Sequence, residues 1–285
     1  MKAFIVLLLL LPSTLFSQQQ EIKVFSHNIF FGGLTGGIGA AVNRKNGENW
    51  KRNFIRGFWQ GSIGGVLNYG SKKSLSLIEK KNNLGYAVPA RIINSAGNSI
   101  IQNAASNGSF LKNWNLEYGF LRVDFSLSSQ TNFRLRILPA SLISAAFALP
   151  SGQLDPKSSL LTGMIVVRKK DLINTLHGTH DGINYGRAFI YYGNSPRPLH
   201  IISHEIIHEY QYREFLVINS YFKKGVSKLK ENGLKKFVTK YIYPDVPYFG
   251  LFYMFEQTEP GPHFFRNYYE FEAERCALNG HVPLN

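Results

Sequence analysis

Cysteine is almost absent from this chain of 285 residues, which contains only Cys276. A chain with one cysteine has no intrachain disulfide, even in an oxidising compartment. Acidic residues are also scarce, because 18 aspartates and glutamates stand against 32 lysines and arginines and leave a net charge of +14. Hydrophobic residues make up 44% of the sequence, which excludes a disordered chain and predicts a buried core.

The N-terminal apolar run is short. It extends from Ala3 to Leu11, fewer than the roughly 20 residues that a membrane-spanning helix needs. Pro12 and small polar residues follow it up to Ser17, which is the layout of a secretory signal. We predict a signal peptide, residues 1–17, and export to a periplasmic, extracellular or envelope-associated location. No cysteine follows the cleavage region, so a lipidated N-terminus is not expected.

The positive charge restricts the class of partner. Removing the predicted signal takes away Lys2 and leaves 14 − 1 = +13. This excess favours anionic surfaces such as lipid headgroups or acidic polymers, and the alternative is a well-solvated basic surface. Nucleic acid is not an expected partner, because the basic residues are scattered and form no recognition motif.

Two apolar, glycine-rich stretches lie within residues 27–70, separated by a charged connector from Asn43 to Lys51. In the second stretch Gly57, Gly61 and Gly65 recur every four residues, so on a helix they line one face. Such a face lets two helix backbones approach closely. The pattern fits a helical hairpin that inserts into or lies on a membrane. It also fits a tight soluble helix pair, or a loop-rich segment packed on the rest of the protein.

The rest of the chain predicts an α+β fold. Residues 18–110 form a glycine-rich, mainly helical region that includes a further helix from Pro89 to Gly108. From residue 111 the pattern changes to strands. Residues 115–129 and 131–141 alternate apolar and polar side chains and predict a hairpin with its turn at Gln130. Shorter apolar strands are expected after Thr162 and Gly186.

A helix predicted to follow the proline-containing segment Asn194–Pro198 carries the sequence HEIIH. His204 and His208 are one turn apart on the same face, so both imidazoles can reach one metal ion. Glu205 lies about 100° round the helix, where it can hold a metal-bound water as a general base.

A catalytic zinc ion needs a third protein ligand. The stretch RNYYEFEAER, residues 266–275, offers two glutamates on what is expected to be a helix. Glu270 is the preferred ligand, and Glu272 is the alternative, although it points to nearly the opposite side of that helix. The small Ala273 permits close approach of the two helices.

This pair of motifs resembles that of the gluzincin metallopeptidases, in which the third zinc ligand is a glutamate on a later helix. The resemblance implies that His204, His208 and Glu270 bind Zn²⁺ and that Glu205 is the catalytic base. It also implies that Glu274 supports a ligating histidine. Glu274 stands where that group often has aspartate, one methylene shorter, so this supporting contact is the point at which the chain departs from the pattern.

The resemblance covers roughly residues 186–275. It implies that the C-terminal region, residues 111–285, is zincin-like, with a small mixed sheet, an active-site helix and a glutamate helix. It further implies a peptide or protein substrate. The function expected is therefore that of an exported zinc metallopeptidase. The alternative is a membrane-associated structural or binding protein with a vestigial or structural zinc site.

Other polar residues stay open at this stage. His200 is expected at the surface where its helix begins, and the alternative is that it lines the cleft. His177 and His180 fit either metal ligands or a polar loop. A peptidase needs a donor for the oxyanion, and nothing in the sequence selects among Tyr241, Tyr243, Tyr248, Tyr253 and His263.

Overall fold

The computed structural model describes residues 2–127, 132–175, 178–228, 231–256 and 267–278. It is a mixed α+β protein in which helices predominate. The helices are α1 (Lys2–Val42), α2 (Trp50–Ser74), α3 (Ser76–Lys80), α4 (Ala87–Ala105), α5 (Pro139–Ala148), α6 (Pro156–Thr162), α7 (Pro198–Phe215), α8 (Lys223–Lys228), α9 (Gly233–Tyr241), α10 (Tyr248–Glu256) and α11 (Tyr268–Ala277). The strands are β1 (Asn113–Tyr118), β2 (Leu121–Ser126), β3 (Phe133–Ile137), β4 (Gln153–Leu154), β5 (Ile165–Lys169), β6 (Ile173–Thr175), β7 (Gly178–His180), β8 (Gly182–Asn184) and β9 (Ala188–Tyr192).

The glycine-rich stretches form a helical hairpin of α1 and α2. The connector is two residues shorter than expected, because α2 begins at Trp50 after Asn49, whose side chain accepts hydrogen bonds from the next backbone N–H groups. The glycine face of α2 packs closely against the backbone of α1 and the small side chain of Ala40. A Cβ atom added to Gly57 would lie 2.6 Å from the carbonyl oxygen of Gly36, and one added to Gly36 would lie 2.6 Å from that of Gly57.

Helix α4 packs on the same hairpin through another glycine pair. A Cβ atom on Gly64 would lie 2.6 Å from the carbonyl oxygen of Gly97 in the middle of α4. The glycines of the hairpin are therefore used in helix packing within the protein. In the part of the chain that the structure describes, no helix is long and apolar enough to cross a membrane. The predicted signal peptide, residues 1–17, stays a prediction, since the side chains of residues 2–18 lie outside the described part.

The first sheet is an antiparallel meander of β1, β2 and β3. The expectation of one strand over residues 115–129 was wrong, because the chain turns at Gly119, whose φ of 52° favours glycine. Strands β2 and β3 do form the expected antiparallel pair. Gln130, where that turn was expected, lies outside the described residues.

The second sheet has the strand order β4-β5-β9-β8. Its two central strands are those predicted after Thr162 and Gly186, and they run parallel to each other. Strand β9 is buried along almost its whole length and leads through residues 193–197 into α7. Strands β6 and β7 form a separate pair.

The main hydrophobic core is shared by both predicted regions of the chain. Val24 of α1, Leu75 directly after α2 and Ile78 of α3 belong to the same buried cluster as the apolar residues of α7 and α11. The single thiol, Cys276, lies in this cluster and is 1% exposed. The hairpin is thus packed directly against the two helices on which the histidines and glutamates lie.

Candidate metal centre

Helix α7 presents two histidines to one point in the protein. It begins at Pro198, a residue that suits the first turn of a helix. Buried isoleucines such as Ile202 and Ile206 fix the helix in the core. His204 and His208 then project from the same side, with their Nε2 atoms 3.0 Å apart.

Helix α11 brings a carboxylate to the same point. Its first turn is capped by Asn267, whose side chain accepts a hydrogen bond from the N–H of Tyr269. The Oε2 atom of Glu270 lies 3.1 Å from Nε2 of His204 and 3.3 Å from Nε2 of His208. Ala273, which is fully buried, allows α11 to lie close to α7.

The donor set and its spacing fit a metal ion. His204, His208 and Glu270 each offer one ligand atom, and these atoms all lie within 4.8 Å of one another. Ligand atoms around a tetrahedral zinc ion lie about 3.3 Å apart, given bonds of about 2.0–2.1 Å. The observed separations of 3.0, 3.1 and 3.3 Å are close to that value. This buried His-His-Glu group can hold a metal ion.

A second set of contacts orients both imidazoles. Nδ1 of His204 lies 3.2 Å from Oε2 of Glu274. Nδ1 of His208 lies 2.8 Å from Oε1 of Gln211, whose amide nitrogen donates to the carbonyl oxygen of Tyr269. The same amide nitrogen donates to a carboxylate on α11, so both of its hydrogens are used and Oε1 must face the histidine. Nδ1 of His208 therefore carries the proton, and Nε2 keeps its lone pair for a metal.

The carboxylate that fixes Gln211 belongs to Glu272, which is held by a buried lysine of the hairpin. Nζ of Lys72 lies 3.0 Å from Oε2 of Glu272 and 2.8 Å from Oε1 of Glu214. Asn28 of α1 also donates to Glu272. Glu272, the alternative third ligand in the sequence, is thus engaged away from the centre, and only Glu270 meets the two histidines.

The histidines and carboxylates of the centre stabilise each other's charged forms. Burial lowers the pKa of His204, but its hydrogen bonds with Glu270 and Glu274 outweigh this and raise the pKa to about 10. Burial raises the pKa of Glu270, but His208 and His204 lower it well below its usual range. Without a metal ion the site is therefore a charged histidine–carboxylate cluster, and a bound cation would replace the protons.

Glu205 lies beside the cluster without belonging to it. Its side chain fits against Gly182 of β8, where an added Cβ atom would lie 3.0 Å from the carboxyl carbon of Glu205. The residue is 5% exposed. Burial raises the pKa of this carboxyl, and the charges of His204 and His208 oppose the shift.

Six of the open residues lie in the described part of the chain. His200 is not a surface residue as expected: its side chain is 13% exposed, and its Nε2 lies 3.2 Å from Oε2 of Glu274. Tyr253 is the only oxyanion candidate seen, among the described residues, to touch the centre, since its hydroxyl donates to Oε1 of Glu270 over 2.5 Å. His180 lies in β7 and is not part of the His-His-Glu group. His177 and His263 lie outside the described residues.

Lys72 and Gln211 were not identified from the sequence as parts of the site. Gln211 follows His208 by three residues, which is a local signal. Lys72 lies fifteen residues after Gly57 and seven after Gly65, so it continues the glycine face of α2. A lysine on a face of close helix packing indicates a buried carboxylate partner, and this signal was available.

Comparisons with protein-family models, with curated proteins and with solved structures find no match to this chain. The assignment of the centre therefore depends on the geometry of its own residues.

Gln211→Leu is expected to lower the affinity of the centre for a divalent metal ion, tested with zinc, by about 10–100-fold, the usual effect of losing a group that orients a ligating histidine. Leucine leaves Nδ1 of His208 without its acceptor. Competition with a chromophoric chelator measures the affinity, and thermal unfolding of the metal-free variant checks that it is folded. An unchanged affinity in a folded variant would show that the contact with Gln211 does not orient His208.

Proposed function

We propose that this protein is an exported, zinc-dependent hydrolase that cleaves peptide bonds and has a gluzincin-like centre in a zincin-like C-terminal half. The observation that carries this proposal is the meeting of His204, His208 and Glu270 from two helices, with Glu205 beside them. Two imidazoles and one carboxylate, with a position left for water, are a typical ligand set of catalytic zinc. Export is supported by the signal-like residues 1–17.

When bound, zinc would lower the pKa of a coordinated water to about 7 and polarise the carbonyl group of the substrate. The chain's own residues supply the proton transfers. Glu205, adjacent to the ligands and not engaged as one, accepts the proton of the attacking water and returns it to the leaving amine. Its raised pKa suits this role, because a base whose pKa approaches the working pH both accepts and returns a proton readily.

Two neighbours assist without transferring protons. Glu274 accepts a hydrogen bond from Nδ1 of His204, so the position where this chain departs from the gluzincin pattern still supplies the supporting carboxylate. Tyr253 donates to Glu270, which leaves the other oxygen of that carboxylate directed at the histidines.

Glu205→Gln is expected to lower the rate of peptide hydrolysis by about 10²–10⁴-fold, because the general base is lost. Zinc content should stay unchanged, because Glu205 is not a ligand. The measurement combines metal analysis of the purified protein with hydrolysis of a mixed peptide library read by mass spectrometry.

The same experiment separates the proposal from a purely structural metal site. Such a site predicts that Glu205→Gln changes nothing, whereas His204→Ala unfolds the protein. A parent protein that takes up no zinc, even when purified without chelators and supplied with the ion, would contradict the proposal.

A further inference from the structure

The first sheet is built with its apolar side outward. Every second side chain of β1, β2 and β3 is apolar, beginning at Trp114, Leu121 and Phe133, and the strand register places these side chains in three cross-strand rows. Leu116, Val123 and Leu135 form the central row. We call this side of the sheet the apolar sheet face.

The apolar sheet face is open to solvent, most of all at its β3 edge. Phe133 is 72% exposed, Leu135 59% and Ile137 43%. Antiparallel sheets with one solvated side normally direct their polar residues there. A contiguous apolar surface of this kind marks a site of interaction with another molecule or with a membrane.

The opposite side of the sheet explains why the apolar side faces outward. It carries Glu117 and Arg122, which are 2% exposed each and paired at 2.5 Å. Glu117 also pairs with Arg187, the residue before β9, and, at 2.9 Å, with Arg213 of α7. Turning the sheet over would bury the apolar face but would take Glu117 away from Arg187 and Arg213. Among the described residues, these two buried arginines would then share Glu209 alone as an ion-pair partner, and removing one partner from a buried ion-pair network is costly.

Helix α9 adds a second apolar surface next to the sheet. It packs beside β3, and residue 242, directly after it, forms a bridge with Ile137. Its apolar residues follow helical spacing and are all exposed: Leu234, Phe237, Val238 and Tyr241. No residue of α9 is buried. The same nine-residue helix carries Lys235, Lys236 and Lys240, so it is both amphipathic and basic.

We propose that the apolar sheet face and α9 together bind the surface of an anionic lipid bilayer. A short basic amphipathic helix with exposed aromatic residues is the element that lies in a membrane interface. Each lysine near an anionic leaflet adds to the attraction, and the net charge of +14 acts in the same direction. The inference is independent of the metal chemistry and requires no membrane-spanning helix.

Charge distinguishes a bilayer from a second copy of the chain as the occupant. Pairing of two copies through this surface would put two sets of the three lysines of α9 into one interface, and an excess of like charge opposes such an interface. Anionic headgroups complement them. The proposal places membrane binding away from the N-terminal hairpin. The glycines of that hairpin are buried where α2 packs against α1 and α4.

Co-sedimentation of the full chain with vesicles tests the proposal. Vesicles of phosphatidylcholine alone are compared with vesicles that contain phosphatidylglycerol in equal amount. The parent is expected to bind the anionic vesicles more strongly. Phe133→Thr combined with Leu135→Thr should weaken that binding at least about tenfold. The reason is that two large apolar side chains are no longer transferred from water into the bilayer. Threonine preserves the preference for a strand.

Changing Lys235, Lys236 and Lys240 together to glutamine should weaken binding to the anionic vesicles by about two orders of magnitude, at about fivefold per lysine. Binding to phosphatidylcholine should not change. These lysines lie on a helix without buried residues, so this variant remains informative even if the sheet variant does not fold.

Trp59→Gln combined with Ile63→Gln is the matched control, because it removes two exposed apolar side chains, 68% and 49% exposed, from the outer side of α2. It should bind like the parent. The proposal is overturned if this control loses binding while the sheet variant keeps it, or if the parent does not prefer anionic vesicles. It is equally overturned if the sheet variant changes the oligomeric mass in solution and leaves lipid binding intact.

Discussion

Lys72→Met is expected to lower the free energy of unfolding by about 3–5 kcal/mol, the effect of removing one partner from a buried ion pair. Lys72 is 0% exposed and is the only cation shown in contact with both Glu214 and Glu272 in the described part of the structure. Methionine fills a similar volume but leaves two buried carboxylates uncompensated. Chemical denaturation of both proteins at neutral pH measures the difference.

The deficit of this variant should shrink as the pH falls. In the parent, burial raises the pKa of Glu214 to about 7, and Lys72 opposes this shift, so its removal raises the pKa further. A carboxyl group whose pKa is higher in the folded than in the unfolded protein takes up a proton on folding. The folded variant therefore gains stability as the pH falls from above 7 toward the usual carboxyl value of 4.5, and loses it again as the pH rises.

The neighbouring lysine provides the control. Lys73 pairs with Glu21 at 2.9 Å, but the two side chains are 26% and 31% exposed. Lys73→Met should therefore cost less than about 1 kcal/mol. Equal effects of the two substitutions would mean that the network of Lys72 does not stabilise the fold.

Glu270→Ala is expected to remove zinc binding at micromolar concentrations of the ion and to abolish hydrolysis with it. The loss should exceed the 10–100-fold decrease expected from an orienting group, since Glu270 is itself a proposed ligand. Metal analysis after gel filtration measures the bound zinc. Glu272→Ala removes a group that fixes Gln211, so it should cost no more than that decrease of about 10–100-fold. Complete loss of zinc from a folded Glu272→Ala protein would support the sequence alternative for the third ligand.

Glu256→Ala is the control for displacement of α11 without loss of a ligand. Glu256 accepts a hydrogen bond from the backbone N–H of Tyr268 at the start of α11 but lies outside the His-His-Glu group. It should keep zinc. If it loses zinc as Glu270→Ala does, displacement of α11 explains the loss, and the ligand assignment fails.

The geometry of the centre was accessible from the sequence because its parts are local. The four-residue spacing of His204 and His208 places them on one helix face whatever the rest of the fold does. The two-residue spacing of Glu270 and Glu272 separates them in the same way. The remaining step, that α7 and α11 meet, came from a family resemblance and not from local rules.

Other features depended on contacts between distant segments. The alternation of β1 to β3 predicted strands, but it did not tell which side faces inward, and here the buried side is the charged one. That choice depends on Arg187 and Arg213, which lie later in the chain. The turn at Gly119 was missed although it changes the phase of the alternation, because the apolar side chains fall on even positions up to Tyr118 and on odd positions from Leu121.

Burial of the single thiol protects the folded protein from forming disulfide-linked dimers. Cys276 is 1% exposed, and burial raises the pKa of its thiol, so the reactive thiolate is both rare and inaccessible in the folded chain. Two folded molecules therefore have no means of forming a covalent dimer through it. A cross-linked species would originate from chains that were oxidised before they folded, which makes its abundance a record of how well folding competed with oxidation.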